Sequence, residues 1–149
     1  MIPYLYKEPI SEITNPDLVQ AIDYVKQAPS KKDALEKAFN LIVKRFKGYR
    51  FRTYLLFWKA FETNPNKLWQ RKGFMHCTHQ NFLLRVLLTK SGWFSEKEIQ
   101  LGYSLVWYIS PHQYLKIKMN NKTIAADPWN SNFGVPLGYF ASGFGYTSF

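Results

Sequence analysis

Cysteine is nearly absent from this chain of 149 residues: Cys77 stands alone, so no intramolecular disulfide can form, and the lone thiol suits a reducing cytosol. Acidic residues are scarce, ten against twenty Lys and Arg, which leaves a formal charge of +10. Such a balance draws a protein toward nucleic acid, anionic lipid or acidic substrates, or is carried as a solvated basic surface. No apolar run reaches the length of a membrane span. The opening stretch, Met1 to Glu8, lacks a basic segment followed by an apolar one, so no secretory signal is expected and the expected location is the cytoplasm. Apolar and aromatic side chains are plentiful, at 46% and 18% of residues, which argues against disorder and predicts one globular domain, residues 1–149.

The thiol sits at the head of an amphipathic run. Phe82, Leu83, Val86 and Leu87 recur at helical spacing, Leu84 and Leu88 widen the apolar face, and Lys90 and Gly92 supply stop chemistry. A helix beginning near Cys77 and buried on most sides is the prediction. A thiol in a first helical turn meets unpaired backbone N–H groups and the positive end of the helix dipole, both of which favour the thiolate. The plainer alternative is a small buried hydrophobe, a common fate of free cysteine. His76 and His79 flank the thiol, but neighbouring helical residues point roughly 100° apart. With no second cysteine or acidic cluster to complete a ligand set, no metal and no cofactor are expected.

A second motif lies 35 residues further on. Tyr114 to Met119 alternates apolar and polar residues up to Asn120-Asn121, a pair that tolerates the positive φ of a two-residue hairpin turn. That turn sets Met119 opposite Lys122 and Asp127 opposite Tyr114. His112, two residues back on the same strand, then shares a face with Tyr114 and becomes a diagonal neighbour of Asp127. A three-residue turn would put the two side chains on opposite faces. A carboxylate beside an imidazole fixes its tautomer and stabilises its cation, and that cation stabilises a nearby thiolate.

Cys77 at a helix start, a strand, His112 opening a hairpin and Asp127-Pro128-Trp129 closing it together resemble the core of the transglutaminase-like superfamily of papain-type thiol enzymes. The resemblance covers about residues 66–130. It implies an α+β fold: a nucleophile-bearing helix packed on a short antiparallel sheet, here with two helices ahead of it. It also implies roles: Cys77 as nucleophile, His112 as proton shuttle, Asp127 as the group that orients the histidine. The backbone N–H of Cys77 is a candidate oxyanion donor. By the papain-like layout, Gln70 or Trp69 is the second, with Trp69 as a core anchor and Gln70 as a surface residue the alternative. His79 and Trp129 are cleft candidates. The chain departs from the family pattern in placing Gly73 four residues before the cysteine and Gln113 after the histidine.

The rest of the chain reads as scaffold. Pro16 opens one helix that ends at Ala28-Pro29; Ser30 caps a second, with Leu35, Ala38, Phe39, Ile42, Val43 and Phe46 inward and Gly48 ending it. Lys44 to Arg52 interleaves basic and aromatic residues, either as a single-strand nucleic-acid or lipid surface or as a helix end and an edge strand with solvated charges. Tyr54 to Phe61 is too apolar to be expected at the surface, and its periodicity does not decide between strand and helix. Asn64-Pro65-Asn66 breaks the chain, Ser95 to Glu98 caps a short helical turn, and Gly102 to Ile109 reads as a strand turning at Ser110-Pro111. The tail after Trp129, rich in glycine and aromatics, carries no assignable period.

The expected function is thiol acyl transfer on peptide or isopeptide amides, most simply a cysteine peptidase or amidase, with a peptide or protein as partner. Resolution of the thioester by a lysine amine would make it a protein-glutamine transglutaminase. A calcium-gated transglutaminase needs clustered carboxylates, and a zinc-bearing glycanase needs paired cysteines; the chain has neither. From another class comes a basic domain without catalysis, binding nucleic acid or an anionic surface through Lys44 to Arg52.

Overall fold

A computed structural model describes residues 6–149, with the backbone alone for Arg50 and Thr53. The first five residues, on which the absence of a signal was partly read, lie outside the described residues. The fold is α+β. Asn15 caps α1 (Pro16–Lys26) by accepting from the Leu18 N–H, and Ser30 caps α2 (Lys31–Arg45) by accepting from the Asp33 N–H. Both helices turn their apolar stripes inward, Leu18, Ile22 and Val25 from one and Leu35, Ala38, Phe39 and Ile42 from the other.

Helix α2 stops one residue before Phe46, which is buried but extended. It forms β1 (Phe46–Lys47), paired in parallel with β2 (Gly73–Phe74). The edge strand expected beyond Lys44 is therefore only two residues long, and the chain continues as α3 (Arg50–Leu55) and a 3-10 turn, Phe57–Phe61. The expectation that this apolar run is buried is overturned: no residue of Phe57–Phe61 is buried, and Phe57 is 62% exposed. Asn64-Pro65-Asn66 starts a helix as well as ending the run before it, because Asn64 caps α4 (Pro65–Gln70).

Helix α5 (Cys77–Lys90) is the centre of the molecule. Every residue from His79 to Leu88 is buried, with α1, α2 and α4 packed around it and the sheet covering its other side. Removing Leu83, Leu84, Leu87 and Leu88 from water contributes about 1.5–3 kcal/mol each.

The sheet is antiparallel in the order β3 (Ile99–Val106), β4 (Ser110–Met119), β5 (Lys122–Ala126). Its first strand begins at Ile99, straight after the Ser95/Glu98 capping box. The turn between β3 and β4 is not at Ser110-Pro111, which lie within β4. It is at Trp107-Tyr108-Ile109, where Trp107 and Tyr108 adopt φ of 54° and 59°. The tail forms α6 (Pro128–Ser131) and a small hairpin of β6 (Phe140–Ser142) and β7 (Gly145–Thr147). That hairpin leans on β3: Ser104 Oγ donates to the Ala141 carbonyl at 2.7 Å, and the Gly143 N–H donates to the Leu105 carbonyl at 2.8 Å. Among the described residues, no helix is long and apolar enough to cross a membrane.

Candidate active site

Cys77 is the first residue of α5, half-buried, with His76 at the N-cap contributing no side-chain cap. The segment that delivers it is held at Met75, through both of its backbone groups. The Met75 N–H donates to the Lys47 carbonyl at 3.0 Å, continuing the β1–β2 pairing, and Gln80 Nε2 donates to the Met75 carbonyl at 3.0 Å. The thiol's position is thus tied to the end of α2.

His112 and Asp127 arrive from the sheet. Met119 pairs with Lys122 and Leu115 with Ala126, around an Asn120-Asn121 turn whose φ values are 51° and 62°. The two-residue turn thus holds, the pairing runs to Leu115 and Ala126, and Asp127 follows directly after its last residue, within reach of His112. His112 Nε2 lies 2.9 Å from Asp127 Oδ1, both side chains being buried. Nε2 being taken, Nδ1 is the ring nitrogen left for Cys77, with whose side chain His112 also hydrogen-bonds. The three residues, separated widely in sequence, meet in one place.

Burial alone would lower the His112 pKa. The negative charge of Asp127, its hydrogen bond, and Cys77 outweigh burial and raise it from 6.5 to about 10. The imidazole is held as its cation at neutral pH. Asp127 is itself fully buried and fully engaged. Oδ1 accepts from His112 and from the Asn130 N–H at 3.2 Å; Oδ2 accepts from Asn130 Nδ2 at 3.0 Å and from the Ala141 N–H at 3.0 Å. Asn130 Nδ2 also approaches His112 Nε2 at 3.0 Å. Because Nε2 donates to the carboxylate, that approach is a packing contact, and the amide's hydrogens go to Asp127.

Asn130 and the Ala141 N–H are site components that the sequence reading missed. Asn130 had a legible signal: Asp127-Pro128 is a helix start, and the side chain of such a cap accepts from the third residue on. Ala141 had none, since its approach depends on where the tail folds back.

A cavity of about 210 Å³ opens onto the Cys77 and His112 side chains. Its walls are mostly apolar: Phe51, Tyr54, Trp107, Ile109, Pro111 and Trp129. Tyr54 Oη and Ser110 Oγ are 2.7 Å apart, joining α3 to the start of β4 across the mouth. Trp129, a cleft candidate, forms part of the wall and packs on the His112 ring at 6.0 Å between centroids. On its other side it leans on Gly48, where a Cβ would come within 2.4 Å of the indole. Gly48 was read as a helix stop, and its larger use is this close approach.

Three further candidates lie elsewhere. Gln70 is exposed and does not line the cavity. Trp69 is a core residue: its ring packs edge-on to Phe46 at 5.8 Å, and its carbonyl accepts from the Arg45 guanidinium. Its indole N–H is buried without an acceptor, away from the cavity walls. His79 faces a separate small space, of about 20 Å³, shared with Glu62 and Arg85. Burial, then the charges of Arg71 and His76, lower its pKa to about 4, so it is neutral at pH 7. The carbonyls of Glu62 and Ala60 approach its ring without completing a hydrogen bond. Among the described residues, no three His, Cys, Asp or Glu side chains gather as a metal site.

Comparison with family models, with curated proteins and with solved structures returns no match, so the chemistry of this site is argued from its own geometry.

Proposed function

We propose that the protein is a thiol acyl-transfer enzyme with the papain-like core of transglutaminase-like enzymes, acting on peptide or isopeptide amides. The observation that carries this reading is the convergence of Cys77, His112 and Asp127 at one apolar cavity, with His112 held as a cation between the sulfur and a buried carboxylate. The Cys77 sulfur attacks the amide carbonyl carbon as thiolate. Backbone N–H groups at the tip of α5, left unpaired by helix geometry, donate to the developing oxyanion. The imidazolium gives its Nδ1 proton to the leaving amine as the C–N bond breaks, leaving a thioester. Water then attacks the thioester, His112 takes its proton, and the acid leaves as the C–S bond breaks, restoring the thiolate and the imidazolium. The apolar walls suit amides flanked by apolar groups, and resolution of the thioester by water makes the reaction a hydrolysis.

The test is covalent labelling of native protein with a peptidyl vinyl sulfone at pH 7, followed by intact mass. One adduct on Cys77 is expected, formed roughly 10²-fold or more faster than in His112→Ala. Labelling as slow as in that variant, or only after unfolding, would overturn the proposal.

A further inference from the structure

The apolar surface around the cavity mouth is too extensive to be incidental. Phe51 is 85% exposed, Leu55 68%, Trp58 57% and Ile109 79%. They come from two elements, α3 with the turn after it and the β3–β4 turn, which Tyr54 and Ser110 join at 2.7 Å. A soluble protein rarely leaves so many large apolar side chains together in water without a use for them.

The charge around them has one sign. From Lys44 to Lys72 the chain holds nine basic residues and a single acidic one, Glu62. That carboxylate accepts from the Thr63 and Asn64 N–H groups at 3.1 and 2.9 Å and faces Lys67 at 4.0 Å, so its charge is offset locally. The other acidic residues fall between positions 8 and 36 and at 96 and 98, apart from the buried Asp127.

We propose that this face docks on an anionic bilayer. Aromatic and aliphatic side chains beside lysine and arginine are the composition of a segment lying in a membrane interface, where apolar groups enter the acyl boundary and cations meet lipid phosphates. Single-stranded nucleic acid would use the same cations and aromatics, but Leu55 and Ile109 offer no ring on which a base can stack. A second copy of the chain would set one cationic face against another, which opposes pairing. Phe51, Tyr54, Trp107 and Ile109 belong at once to the cavity walls and to its surroundings. Docking therefore turns the cavity toward the membrane, and a substrate held in that plane reaches Cys77 directly. This last step rests on the thiol reading; the docking does not.

Sedimentation with phosphatidylglycerol/phosphatidylcholine vesicles tests it, with phosphatidylcholine-only vesicles as reference. The protein pellets on the anionic vesicles, Cys77→Ala pellets equally well, and Phe57→Ser/Trp58→Ser, whose sites lie outside the cavity walls, binds at least about tenfold more weakly. Lys47→Glu/Lys59→Glu, at exposed positions, weakens it in the same way, so the result does not hang on one variant folding. No preference for anionic vesicles overturns the proposal. So does undiminished binding by the Phe57/Trp58 variant, capture of a single-stranded oligonucleotide but not vesicles, or a concentration-dependent dimer that leaves vesicles alone.

Discussion

The β4–β5 hairpin and the stretch from Lys44 to Phe61 have similar ingredients, aromatic and aliphatic residues interleaved with lysine or arginine, and opposite fates. In the hairpin, apolar residues alternate with lysines, and the fold buries Leu115, Ile117 and Met119 while Lys118 faces water. In the other stretch Phe46 is the one described side chain that reaches the core, and Phe51, Leu55, Phe57 and Trp58 stay outside. The hairpin has a turn that sets a register, and a register sends every second side chain inward. The other stretch has no such device. Two helical segments and a two-residue strand follow one another there without a common period, so apolar content alone does not decide which side chains are buried. Pattern, more than composition, separates a buried face from an exposed one.

The largest effect expected from breaking the ordered region is at Asp127. Asp127→Asn keeps the shape but withdraws the charge that holds His112 as its cation. Turnover, or labelling of Cys77, falls roughly 10²–10⁴-fold. Stability at pH 6 also falls in urea unfolding, because burial drives the imidazole to its neutral form and the charge-assisted bond to the carboxylate is lost. A variant with full activity would remove the carboxylate from the reading of the site.

The same pair sets a pH dependence. The His112 pKa is raised on folding, from 6.5 to about 10, so its stabilisation is fully present below about pH 6.5 and is lost as pH rises through about 10. The gap in Tm between wild type and Asp127→Asn is therefore widest near pH 6 and narrows toward pH 10. A gap that widens with pH would reverse the assigned charge of the ring.

That part of the site was legible because it depends on local rules. Asn120-Asn121 accepts positive φ, the hairpin pairs around it, and the diagonal from His112 to Asp127 follows from strand geometry. The start of α5 at Cys77 followed from apolar spacing and the glycine stop. What escaped depends on contacts distant in sequence: the Ala141 N–H on Asp127, Trp129 lying against Gly48, and the cavity walls drawn from α3 and the β3–β4 turn. Gln70 and Trp69 were placed by the papain-like layout and His79 by its nearness to the cysteine in sequence; the first two fall on α4, one exposed and one in the core, and α5 turns His79 to another face.

Paired truncations sharpen the contrast between the regions. Leu84, fully buried in α5, and Leu55, 68% exposed in α3, are the same side chain in the two environments. Leu84→Ala costs about 2–5 kcal/mol in urea unfolding, and Leu55→Ala stays within about 0.5 kcal/mol. A comparable loss at Leu55 would mean that the apolar face is covered in solution.

The smallest effects fall at the two turns of the sheet, both built on positive φ. Asn121, with φ of 62°, makes no side-chain contact that glycine would forfeit among those described. Asn121→Gly is therefore stabilising by up to about 1 kcal/mol, since left-handed backbone costs a side chain roughly 1–2 kcal/mol and asparagine somewhat less. Tyr108, with φ of 59°, carries the same backbone cost and has a use for its ring, which packs on Gly143 and meets Phe144 at 5.2 Å. Tyr108→Gly relieves the strain and forfeits that aromatic pair, about 0.5–1.5 kcal/mol, so the two terms nearly cancel in Tm. A clear gain at Tyr108 would show that the ring contributes nothing to holding the turn, leaving its place at the rim of the exposed face as the reason an aromatic residue tolerates that backbone.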